Sequence, residues 1–270
     1  MNIFQYDFFR LALVGVVIIS VAAAIIGTYI ISRRMVAISG GITHACFGGL
    51  GLGYWLGVSP ITMAGIFAVV SSLGVEWLSR RMNVREDSAI AVIWALGMAI
   101  GVLFVFMTPG YVPELNSFLF GNILTVSVSD VVAFAVFTVI LLAFMAVYFR
   151  EVVACAFDRD FARISGLPVT FISTVMTVLT AVCIVLTIRL VGVMLLMSML
   201  SLPMLVAEVW VHRFAPLMWV SVAVSVVCCL AGLFVSAFVD VPASAIIVLI
   251  MGAAFVLSRV AHGVIAAIWK

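Results

Sequence analysis

The 270 residues predict an all-α polytopic membrane protein of eight to nine transmembrane helices, with the N-terminus outside and the C-terminus cytoplasmic. Composition is the first observation behind that expectation. The chain is 67% hydrophobic and 9% charged, with a mean hydropathy of +1.42, whereas a soluble domain is about 25% charged. One folded core cannot hide so much apolar surface, so its solvent is lipid. Spacing is the second, because apolar runs near the roughly 20 residues needed to cross a bilayer recur between charged or proline-bearing breaks. Charge asymmetry is the third. With the loop of Arg33 and Arg34 in the cytoplasm, alternation places Arg80, Arg81, Arg85, Arg150, Arg159, Arg163, Arg213, Arg259 and Lys270 there too. Only Arg10 and Arg189 of the 13 basic residues are left outside.

In order, the runs fall at about 11–32, 42–58, 61–79, 88–108, 131–149, 168–188, 190–207, 216–238 and 243–261. The first is too long for a signal-peptide core and has no basic stretch before it, so it is expected to remain as a span. The second carries Gly40, Gly41, Gly48, Gly49, Gly51 and Gly53, and Gly97 with Gly101 repeats the small-residue spacing in the fourth. Such surfaces let backbones approach closely; tight helix packing and the wall of a pathway both use them. The seventh run follows the sixth almost without a loop and contains Pro203. That reads as a broken or partly re-entrant helix and leaves the count between eight and nine. No stretch remains for a soluble domain, so residues 1–270 read as one transmembrane domain.

Two connections are long enough to carry structure of their own. The external loop at about 109–130 includes an apolar stretch, Leu115 to Leu124, suited to a short helix in the membrane interface. The cytoplasmic loop at about 151–167 contains DRDFAR, which can form about two helical turns with one charged and one apolar face. Gly166 supplies the stop and Pro168 opens the next span. A solvated connector and a handle for a cytoplasmic partner both fit this pattern.

The same counts argue against several activities. Lys270 is the one lysine, so a P-loop is excluded and any ATP must be hydrolysed by a separate chain. The basic residues are too dispersed to track the phosphates of a nucleic acid. HExxH and GxSxG are absent, as is a buried carboxylate pair at matched depth, so an intramembrane enzyme is not expected. Cys46, Cys155, Cys183, Cys228 and Cys229 form no CxxC and lie mostly in apolar stretches, as reduced packing residues do. The 14 methionines, densest at Met194, Met197, Met199 and Met204, read as packing too.

Ionisable groups inside spans are costly, and the few present are the candidates for function. His44 lies a little inside the second run, and a neutral imidazole is a transition-metal ligand. Thr43 and Cys46 are its nearest additional oxygen and sulfur. Tight binding of a divalent ion takes about four ligands, so His44 needs other helices or a second copy of the chain. A buried histidine hydrogen-bonded to a neighbouring helix is the plain alternative. Glu76 closes the third run. Glu86 and Asp87 stand before the fourth beside Arg80, Arg81 and Arg85, as an interfacial charge cluster at a helix N-terminus. Glu208 and His212, spaced i, i+4 after Pro203, are expected on one helix face near the cytoplasmic exit, with Glu208 a candidate pathway residue. Asp240 precedes Pro242 at the outer end of the eighth run, either as a cap or as part of a cation-attracting vestibule.

Taken together and in order, these stretches resemble the permease subunits of bacterial ABC importers for zinc, manganese and ferrous iron. The resemblance is carried by Arg33 to Met35 followed by Thr43, His44 and Ala45; by Glu86 to Ile90 with Ala95 to Gly97; and by FLFGNIL at Phe118 to Leu124. It continues with FDRDFARISGLP at Phe157 to Pro168, VGVMLLMSMLSLP at Val191 to Pro203, and Asp240 to Pro242 with Ile246 to Leu249. It implies a homodimer in the bacterial cytoplasmic (inner) membrane, two cytoplasmic ABC ATPase subunits and an extracytoplasmic metal-binding protein. It also implies a transported divalent metal in place of any tightly bound cofactor. Phe157, Asp158, Arg159, Asp160, Phe161 and Gly166 then correspond to the coupling helix that docks on the ATPase, and His44 to the metal-path ligand. The family's usual Gly-Asp-x-x-x-His departs here, because Gly40 stands four residues before His44; FGD likewise reads Gly121 and Asn122. The lost carboxylates leave zinc, manganese and iron all open. They also leave open a permease for a metal chelate of siderophore or cobalamin type, or a non-transporting membrane scaffold that binds an ATPase.

Overall fold

The computed structural model describes residues 7–82, 84–109, 121, 126–239 and 241–268. Nine helices follow one another in the described residues: α1 (Asp7–Ser32), α2 (Val36–Leu56), α3 (Pro60–Arg81), α4 (Glu86–Met107), α5 (Val128–Phe157), α6 (Arg159–Ile164), α7 (Val169–Glu208), α8 (Phe214–Val239) and α9 (Ala243–Ile268). All but α6 are long and apolar enough to cross a membrane, so there are eight such helices.

Four boundaries differ from the hydropathy reading, one of them the end of α9 at Ile268 rather than 261. The second helix begins at Val36 rather than 42, because Ser39, Gly40 and Gly41 are buried helical residues and not a linker. The fifth continues to Phe157 and departs from helical geometry at Tyr148 (φ −110°, ψ 24°), close to where the apolar run ends. The sixth and seventh runs form the single 40-residue α7, broken at Gly192 (φ 77°, ψ 175°) and not at Pro203, which lies inside helix. A straight helix of that length would measure about 60 Å, twice the hydrocarbon thickness. Gly192 tolerates a φ that other residues avoid, and it divides the 40 residues into two shorter pieces.

The chain forms two compact units. One comprises residues 1–31, 116–142 and 190–270. Here α1 is buried through Ala12, Val16 and Ile19 in its first half and on all sides from Ala22 to Ile30. Gly15 lies against Leu190, Gly27 against the Leu200 backbone, and Ile31 against Met204 and Ala207. Residues 190–208 therefore run parallel to α1. Near their end Trp210 Nε1 donates to Ser258 Oγ of α9 at 2.7 Å.

The other unit comprises residues 32–115 and 143–189. Its centre is the α2 and α4 pair. A Cβ at Gly97 would overlap Ala45, and one at Gly101 would overlap the Phe47 backbone. The Gly49 and Gly53 edge of α2 lies against Met63 and Pro60 of α3. Lipid is as apolar as these side chains, so it is close dispersion contact, with no gain from leaving water, that favours the pairing. The opposite face of α4 carries the exposed Val92, Leu96, Leu103 and Phe106, as a lipid-solvated helix does.

Candidate metal path and coupling site

His44 stands on the α2 face toward α4. Its ring lies parallel to the Trp94 indole, with centroids 4.7 Å apart and 1° between planes, and Phe47 stacks at 6.4 Å. Its Nδ1 is buried and has no hydrogen-bond partner. The plain alternative, an imidazole held by a hydrogen bond from Nδ1 to a neighbouring helix, is not what this geometry shows. Thr43 is fully buried, and its Oγ1 donates to Ser39 O at 2.5 Å. Cys46 is fully buried as well. Among the described residues no group of three or more His, Cys, Asp or Glu side chains is placed to hold a metal ion. Among those residues His44 stands without a surrounding ligand set.

Glu208 is the last residue of α7 and is exposed. The chain turns immediately after it, so His212 is no longer helical and the expected shared i, i+4 face does not form. Asp240, Asn122 and most of the Leu115 to Leu124 stretch lie outside the described residues.

The charge cluster differs most from expectation. Glu86, the first residue of α4, is not held by its sequence neighbours Arg80, Arg81 and Arg85. It accepts from Arg33 Nη2 at 3.1 Å and from Arg159 Nη1 at 2.5 Å. Arg159 also donates to Ser173 Oγ at 2.5 Å. The Arg33 side chain is only 5% exposed, so loss of this carboxylate would take a counter-charge from a buried guanidinium. Arg80 pairs instead with Glu76 one turn back, at 2.5 Å, and Asp87 is exposed.

The short α6 forms because both ends are capped. Asp158 Oδ1 accepts from the backbone N–H groups of Asp160 (3.0 Å) and Phe161 (2.9 Å). At the other end Gly166 adopts φ 75°, Leu167 N donates to Ala162 O and Gly166 N to Arg163 O, a Schellman ending. Arg159 anchors one side and Ala162 is buried, while Phe157, Phe161 and Ile164 present apolar surface, Ile164 being 87% exposed. That is an apolar contact face on a tethered helix, the shape a docking partner needs.

Sequence reasoning missed Trp94, Arg33 and Ser173 as members of these sites. A signal for the arginine was present. Arg33, Glu86 and Arg159 come from three separate motif stretches, and charge alternation places all three at one side of the membrane. Trp94 left no such trace, because an indole within a span counts as one more apolar residue.

Eight helices long and apolar enough to cross a membrane define a multi-pass membrane protein. The chain belongs to the ABC 3 transport family, which matches residues 5–262. It is 35% identical over 245 residues to a Chlamydia pneumoniae membrane protein assigned to a metal transport system, covering 88% of this chain and 84% of that one. It is 27% identical over 272 residues to the manganese transport system membrane protein MntC of Halalkalibacterium halodurans, covering 100% of this chain and 93% of that one. Among solved structures it resembles PsaBC from Streptococcus pneumoniae, in complex with Fab, with a TM-score of 0.82 and 24% identity over 95% of this chain and 92% of that one, a likeness of fold.

Proposed function

We infer that this chain is the transmembrane permease subunit of an ATP-driven importer that moves a divalent transition metal (zinc, manganese or iron) into the cytoplasm. A single permease domain works as a homodimer with two cytoplasmic ABC ATPases and an external metal-binding protein. The observation that carries the reading is the family match along nearly the whole chain, on which His44 falls with a buried, unpartnered Nδ1. Two copies of α2 bring two imidazoles to one path. Thr43, Cys46 and backbone carbonyls are the nearest supplements, and Glu208 is a candidate on the cytoplasmic exit. A path needs weak binding as well as entry, because the ion must leave again, so a sparse ligand set suits transport better than storage. ATP binding shifts the permease between outward and inward states only through its different affinity for the two. The apolar surface of Phe161 and Ile164 on α6, with Phe157 at the end of α5, is where the ATPase acts.

The test is metal content, by mass spectrometry, in metal-starved cells carrying or lacking this chain with its ATPase and binding protein. A rise in one divalent metal that His44→Ala abolishes is expected. A rise that survives His44→Ala removes the histidine from the path. No rise in any metal from an intact ATPase complex favours the second reading, import of a metal chelate. Gly40 and the absence of a metal-binding cluster among the described residues support that second reading. A complex whose ATP hydrolysis responds to no substrate at all identifies a scaffold.

A further inference from the structure

The transport reading leaves a mechanical question, because α6 and His44 are on different helices and must act together. Within residues 32–115 and 143–189 a continuous connection joins them. Glu86 opens α4 and holds Arg159 of α6. Eight residues further along the same helix, about 12 Å at 1.5 Å per residue, Trp94 lies flat on His44. Over that stretch α4 is fitted to α2 with no free space: the Ile90 side chain occupies the place of a Cβ at Gly41, and Gly97 abuts Ala45. Backbones in such contact cannot slide without overlap, so the two helices answer a push as one body. Arg33 supplies a second partner for the same carboxylate. Arg33 thus leaves Glu86 with a counter-charge when Arg159 moves.

We propose that Glu86 is a positioning residue that links the partner-docking helix to the metal path. Movement of α6 passes through Arg159 to Glu86, along α4, and into the Trp94 contact that orients the His44 ring. The link rests on the transport reading above. Glu86 touches neither nucleotide nor ion, so its loss alters how hydrolysis is converted into transport and leaves hydrolysis itself in place.

The experiment is the ratio of metal moved to ATP hydrolysed, measured on the purified permease and ATPase complex in proteoliposomes supplied with the external metal-binding protein, with manganese, zinc and ferrous iron each offered in turn. Glu86→Gln is expected to lower that ratio at least about tenfold, within the usual range for coupling between sites, with ATP hydrolysis within about twofold of the parent. Trp94→Ala, at the far end of the link, also lowers the ratio. The double variant is no worse than the poorer single one, because both interrupt the same connection. Glu86→Asp, which keeps the charge, restores part of the ratio. An unchanged ratio in Glu86→Gln overturns the proposal, as do losses that multiply in the double variant, or hydrolysis and uptake falling in parallel. If Glu86→Gln does not assemble, Arg33→Gln takes its place under the same criteria. A parent complex that hydrolyses ATP yet moves none of the three metals overturns the transport reading instead.

Discussion

The ring of His44 is held by stacking on Trp94, while its Nδ1 makes no hydrogen bond. Truncating it therefore leaves no buried donor or acceptor stranded, and the cost to stability is the lost packing of the ring, of which the aromatic contact is about 0.5–1.5 kcal/mol. His44→Ala is expected to cut uptake of labelled metal at least about tenfold, the range that loss of a ligand's supporting groups already reaches, while the amount of protein in the membrane stays the same. Uptake and membrane abundance measured on the same cells check this, and a parallel fall in both would show a structural histidine. At this scale the sequence was legible wherever a residue was costly. An imidazole inside a span stands out, and so do charges at span ends. Partnerships were not legible, because which arginine meets Glu86 and which ring meets His44 depend on the rotation and register of helices far apart in sequence.

At the level of elements, α6 has six residues, too few to persist on intrinsic propensity. Its two caps hold it. Asp158→Ala removes an N-cap worth about 1 kcal/mol and is expected to reduce the amount of ATPase that co-purifies, with the spanning helices unaffected; recovery of the two subunits after detergent extraction measures it. Close helix contact makes a second prediction. Gly97→Leu drives a side chain into Ala45 and should cost about 1–3 kcal/mol or more, whereas Gly252→Leu enters open space on α9. Thermal stability in detergent should fall for the first and hold for the second. The spans themselves were readable from hydropathy to within a few residues at most ends. The exceptions have physical causes: buried glycines and serine at the start of α2 score as polar loop, while Arg150 with Glu151 in α5 and Arg259 with His262 in α9 interrupt apolar runs through which the helix continues.

For the whole molecule, direction decides the number of crossings. Taken as one span, α7 gives eight crossings and both termini on one side. Taken as two pieces meeting at Gly192, it gives nine and termini on opposite sides. Residues 190–208 run parallel to α1, the direction the nine-crossing count requires of a seventh segment. A reporter fused after Lys270 is therefore expected in the cytoplasm and one at the N-terminus outside, as the arginine bias also predicts; both reporters on one side would restore the single span. That break could not be placed from the sequence, since Pro203 was the visible breaker and Gly192 one glycine among 20. The division of the chain into units has a consequence for its manufacture. The unit of residues 32–115 and 143–189 holds His44, Glu86, Trp94 and α6, and its last residue leaves the ribosome before α8 or α9 has been made. At about 5–20 residues per second the remaining segments take several seconds more. During that interval the ion-handling and partner-docking parts can find their own contacts in the membrane, while α1, their earliest-made neighbour in the chain, still waits for the helices that will cover it.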